Sequence, residues 1–146
     1  MATLLNDEDR DAILARLEKL TPGSTREWGT LDAPRMLCHV ADMLRVALGD
    51  LPARQTGSFL KRTLVKWLAV DTGFQAPPGK VQTAPEMLSS KPAGWAEDLA
   101  SCRQLIARVG AGRATAVHPA FGPLDAAQWG RLSWKHLDHH LRQFGL

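Results

Sequence analysis

Asp32-Ala33-Pro34-Arg35-Met36-Leu37-Cys38-His39-Val40-Ala41-Asp42-Met43-Leu44-Arg45-Val46-Ala47-Leu48-Gly49 is the stretch from which the fold can be read. Asp32 is a helix-capping residue type, Pro34 falls close to the first turn, where a missing N–H costs nothing, and Gly49 is a stop signal. Between them Met36, Leu37, Val40, Met43, Leu44 and Ala47 recur at three- and four-residue steps and share one face. The spacing predicts an amphipathic helix with one side in a core. Such a helix needs partners, and the flanking sequence supplies them.

Upstream, Asn6 reads as an N-cap followed by acids at 7 to 9, which suit the positive end of a helix, and Ile13, Leu14, Leu17 and Leu20 repeat at helical spacing until Thr21-Pro22-Gly23. Downstream, a third helix is predicted from about Ser58 to Val70, with Leu60, Leu64, Trp67 and Leu68 on one side and a solvated basic face of Lys61, Arg62 and Lys66 on the other. From Asp71 to Pro92 the pattern dissolves in Gly73, Pro77-Pro78-Gly79, Pro85 and Pro92, which predicts a long crossover. Trp95, Leu99, Cys102, Ile106 and Val109 then mark the seam of a packed helix closed by Gly110 and Gly112, with Cys102 in the core. After a loop from Ala114 to Pro123, a last helix starts at Leu124-Asp125 and runs to about Phe144, before Gly145. No segment alternates like a strand of useful length. The expectation is an all-α single domain over residues 1–146: a four-helix bundle with a long crossover and one shorter extra helix.

The chain has 146 residues, 45% of them hydrophobic, which suffices for one core and is too short for two ordinary domains. The net charge of +3 is small and its basic residues are interspersed with acids, so nucleic acid is not an expected partner. No apolar run approaches a membrane span, and MATLLNDEDRD turns acidic before a signal sequence can form, so the expected setting is cytoplasmic and without membrane contact. Cys38 and Cys102 are too few for a disulfide framework and are read as free thiols, Cys38 at the surface. Gly110-Ala111-Gly112 lacks the third glycine and the preceding strand of a dinucleotide fingerprint.

The chemistry is concentrated in Trp134-Lys135-His136-Leu137-Asp138-His139-His140-Leu141-Arg142-Gln143-Phe144-Gly145. Histidines four apart on a helix stand about one turn apart on one face, so His136 and His140 can converge on one ion. At about 100° per residue both fall beside the apolar stripe of Leu137, Leu141 and Phe144, whereas His139 lies farther round and Asp138 points away. A third ligand has to come from another helix, and His39 is the only histidine in one. It lies seven residues after Asp32, and the midpoint of the pair lies six before Phe144, so at 1.5 Å per residue each is about 10 Å from its helix end and antiparallel helices bring them level. From the residues alone, a three-histidine site and ordinary structural histidines both remain open.

Met36-Leu37-Cys38-His39-Val40-Ala41, His118-Pro119-Ala120-Phe121-Gly122, Gln128-Trp129 and the ending HLDHHLRQFG together resemble the DinB-like superfamily of metal-binding helical bundles, over nearly the whole chain. The resemblance implies one histidine from the second helix and an HxxxH pair from the last, here His39, His136 and His140, holding zinc, nickel or a similar divalent ion. In several relatives such a metal serves transferase or isomerase chemistry with a low-molecular-weight thiol acting on a small-molecule substrate. Three neutral imidazoles suit zinc or nickel and leave coordination positions open, where a thiol or a water can be activated. The resemblance favours a thiol S-transferase. A metal-dependent hydrolase, or a non-catalytic bundle for oligomerisation or partner binding, is the alternative, and a homodimer is a candidate assembly.

No general base is evident. Gln143, on the histidine face, and Asp42, one turn after His39, are candidates to support the ligands. His118, in a Pro-flanked loop, is read first as a conformational or capping residue, with a place beside the bundle mouth as the alternative. Trp129 points with the histidines and is the tryptophan best placed to line a pocket.

Overall fold

The computed structural model describes residues 1–74 and 85–146 and is mostly helical. Helices α1 (Asp7–Leu17) and α2 (Ala33–Leu48) are followed by a π-helical turn, Lys61–Val65, that runs into the short α3 (Lys66–Asp71). A 3-10 turn over Pro85–Leu88, then α4 (Trp95–Gly110) and α5 (Ala126–Arg142), complete the helices. Two two-residue strands, β1 (Val117–His118) and β2 (Gly122–Pro123), pair antiparallel between α4 and α5. The middle of the expected crossover, residues 75–84, lies outside the described residues.

The helix ends are set by the residues that the sequence offers for them. Asn6 accepts a hydrogen bond from the Asp9 N–H, and Asp32 accepts one from the Arg35 N–H. Asp125 and Gln128 form a reciprocal capping box at the start of α5. Gly49 ends α2 at φ 79°, a left-handed conformation that favours glycine.

Helix α2 is central. It packs against α4 and α5, and α1 packs against the same two helices. Ile13, Leu17, Leu37, Leu44, Ile106, Val109, Leu137 and Leu141 lie in one buried cluster. Twelve of the sixteen residues of α2 are buried, more than one amphipathic stripe accounts for. Cys38 is consequently buried, against the expectation of a surface thiol, because α4 covers a second side of the helix. Burial pushes its thiol pKa up, and that of the core residue Cys102 up to about 12, which disfavours the thiolate at both positions.

The third helix also departs from the expectation. Leu60, Leu64 and Trp67, read as one packed side, are all more than half exposed. The π-helical turn pairs residues five apart and so breaks the 3.6-residue register on which that stripe was drawn. Helix α3 is held by the fully buried Val70 and by polar contacts: Lys135 Nζ donates to the carbonyls of Ala69 (2.9 Å) and Thr72, and Asp71 accepts from Arg131 (2.6 Å) and Gln128 (3.2 Å). Among the described residues no helix is long and apolar enough to cross a membrane.

Trp129 is fully buried, and its indole N–H donates to the Ala116 carbonyl at 2.8 Å, pinning the 116–123 segment to α5. Trp129→Phe keeps an aromatic ring and removes the donor, so it should lower stability by about 1–2 kcal/mol in urea titrations; an unchanged midpoint would show that this bond does not anchor the segment.

Candidate metal centre

Helices α2 and α5 bring three imidazoles together. The His39 ring centroid lies 4.9 Å from that of His136 and 4.7 Å from that of His140, and the His136 and His140 centroids are 4.6 Å apart. One ring nitrogen of each lies within 4.8 Å of the other two, close to the span needed for bonds of about 2.0–2.1 Å to one shared zinc-type ion. His39 on α2 thus stands level with His136 and His140 on α5.

The outer nitrogens explain which atoms face inward. His39 Nδ1–H donates to the Met87 carbonyl at 2.8 Å, leaving the Nε2 lone pair free. His140 Nδ1–H donates to Gln143 Oε1 at 2.8 Å, with the same consequence. His136 Nε2 is buried and has no hydrogen-bond partner among the described residues. A buried nitrogen without a partner carries a desolvation cost that a bound cation removes, so the donor set fits a divalent metal. Two imidazoles with Nδ1–H tied to a carbonyl oxygen also match the arrangement by which proteins fix imidazole orientation at metals.

Electrostatics keep the rings neutral. Burial holds the His39 pKa below its ordinary value, against the opposing pull of the Met87 carbonyl and the Asp42 charge. Burial, with the neighbouring His39, lowers His140 to about 3. For His136, burial and then the charges of His140 and His39 push the pKa well below the ordinary value. Neutral imidazole is the form that offers a lone pair.

The remaining candidates separate. Gln143 supports His140 directly, as placed from its position on the helix. Asp42 touches no histidine hydrogen-bond site. Its fully buried carboxylate accepts from Arg45 (2.8 Å), from the Ser90 N–H (2.9 Å) and hydroxyl (2.6 Å), and from the Ser89 hydroxyl (3.4 Å). It thereby clamps to α2 the segment whose Met87 carbonyl orients His39. His118 Nδ1 accepts from the Ala120 and Phe121 N–H groups at 3.1 and 3.0 Å, and its ring stacks on Phe121, so it caps the β1–β2 turn and lies outside the triad. Trp129 sits in the core with its ring 5.3 Å from His118. His139 packs edge-on against Trp28, and Asp138 pairs with Arg16 at 2.8 Å, so neither joins the triad.

One supporting group was missed from sequence. Met87 acts through its backbone carbonyl, which no side-chain pattern reveals. Ser133 is fully buried, its hydroxyl has no hydrogen-bond partner among the described residues, and it lies seven residues before His140, on the same line of the helix.

The family described as "Protein of unknown function (DUF1569)" matches residues 2–145. No curated protein and no solved structure matches the chain.

The lowered pKa values bear on acid stability. A histidine with an ordinary pKa of 6.5 in the unfolded chain and a value near 4 (His118) or 3 (His140) when folded gains its proton first in the unfolded chain. Its contribution is complete above pH 6.5 and is lost as pH falls toward the folded value, at up to about 1.4 kcal/mol per pH unit for each such group. Metal-free protein should therefore show a urea midpoint that is level above about pH 6.5 and falls as pH drops from there toward about 4; a flat profile over that range would contradict neutral, buried imidazoles.

Proposed function

The chain belongs to the DUF1569 family, and we propose that it is a metal-binding bundle of the DinB-like type, holding one divalent ion, zinc or nickel, on His39, His136 and His140. The observation that carries this reading is the buried, unpartnered Nε2 of His136, set between two imidazoles whose other nitrogens are already engaged. The four long helices α1, α2, α4 and α5, with the long connection between α2 and α4, support the bundle reading.

A divalent ion there supplies Lewis-acid activation, lowering the pKa of a thiol or water at an open position. Three protein ligands leave room for an exogenous one, the arrangement of catalytic rather than structural zinc. The reaction proposed is transfer of a low-molecular-weight thiol to an electrophilic small molecule. The chain's own contribution is to hold the three lone pairs in place: the Met87 carbonyl keeps the proton on His39 Nδ1, Gln143 keeps the proton on His140 Nδ1, and burial excludes competing protons. Neither cysteine competes for the role of nucleophile, because both are buried and their pKa values are raised.

Untagged protein supplemented with zinc or nickel should carry about one ion per chain by elemental analysis, and less than about a tenth would end the metal reading. His136→Ala and His140→Ala should abolish binding, His139→Ala should leave it, and Gln143→Ala should weaken it about tenfold or more. Turnover of epoxides or chloro-nitrobenzenes with a panel of thiols tests the transferase; metal-loaded protein without thiol turnover would leave hydrolysis or metal binding alone.

A further inference from the structure

We infer that Ser133 is the hydrogen-bond donor to a small anionic ligand that enters this site beside the metal. The inference rests on the metal reading above and assigns a residue to the ligand rather than to the ion. Ser133 is fully buried, and its Oγ and the His136 Nε2 are the two buried side-chain polar atoms without a partner among the described residues. A serine inside a helix ordinarily returns its hydroxyl to the carbonyl one turn back; Ser133 forms no such bond.

Its position places the unused hydroxyl on the histidine face of α5. Ser133 lies three residues before His136 and seven before His140, so it shares their face, one turn and two turns toward the start of α5. Helical side chains lean toward the helix N-terminus, which carries both imidazole rings back over the turns between them and Ser133. The three histidines present lone pairs, which a cation satisfies. A ligand joining that cation brings lone pairs of its own and needs a donor, and the Ser133 hydroxyl is a neutral donor on the same face with nothing else to bond. A buried hydroxyl left unmade is costly in the empty protein and becomes useful when a ligand arrives.

The experiment loads the full chain with cobalt(II) in place of the native ion and titrates it with azide, following the visible absorption of the metal. Ser133→Ala should bind cobalt(II) within about twofold of the unaltered protein and azide about tenfold more weakly. In metal-free protein the same variant should melt no lower than the original, because it removes an unpartnered buried hydroxyl and puts a better helix former in its place. Equal azide affinity in both proteins, or an unaltered protein that takes up cobalt(II) but no azide, would overturn the role of Ser133 and leave the metal site standing. A lower melting temperature of metal-free Ser133→Ala would overturn it too, by showing that the hydroxyl serves the fold. Failure of the unaltered chain to bind cobalt(II) would remove the metal reading and this inference together.

Discussion

The hydrogen bond from His39 Nδ1 to the Met87 carbonyl sets the orientation of the imidazole on which the candidate centre depends. It joins the chain leaving the crossover to the central helix across 48 residues of sequence, and it turns the opposite edge of the same ring toward α5. Without it the His39 ring has no preferred tautomer and no fixed rotation, and His136 and His140 face an undefined third side. The bond is itself held from behind. Asp42, one turn further along α2, accepts from Ser89 and Ser90 and keeps the Met87 segment against the helix. A fully buried carboxylate is costly unless its lone pairs are filled, and here Arg45 and the two serines fill them.

The interior thus contains two kinds of buried polar group. Asp42 and Asp138 are buried with their partners present, Arg45 and the serines for the first and Arg16 and Arg142 for the second, and they tie helices and segments together. The His136 Nε2 and the Ser133 hydroxyl are buried with none among the described residues. Folded proteins rarely leave such atoms unmatched, and the two here stand one turn apart on one helix, beside two imidazoles whose inward nitrogens are free. That contrast supports the proposed reading of a ligand site, as distinct from ordinary polar packing.

Much of this was legible in the sequence, and the part that was not has physical reasons. Caps and stops are local, so Asn6, Asp32, Gly49 and Asp125 could be read directly. The HxxxH spacing and the helix rise placed His136, His140 and His39 at one level because helix geometry is rigid over a few turns. The exposure of Leu60, Leu64 and Trp67 could not be read, because a π-helical turn alters the period that defines a face. Burial of Cys38 was missed because an amphipathic pattern assumes one covered side, whereas α2 is covered by α4 as well as α5. Asp42 was placed near His39 correctly in sequence, yet it acts on the neighbouring segment, a distinction only tertiary contacts reveal. Met87 contributes a backbone carbonyl, and a backbone group leaves no mark on residue identity.

Convergence of three imidazoles on one ion is the central claim, and X-ray absorption at the metal edge of zinc-loaded protein tests it most directly. The account predicts a first shell with three imidazole nitrogens at about 2.0–2.1 Å. A shell containing sulfur at about 2.3 Å from Cys38 or Cys102, or one with no imidazole scattering, would contradict it.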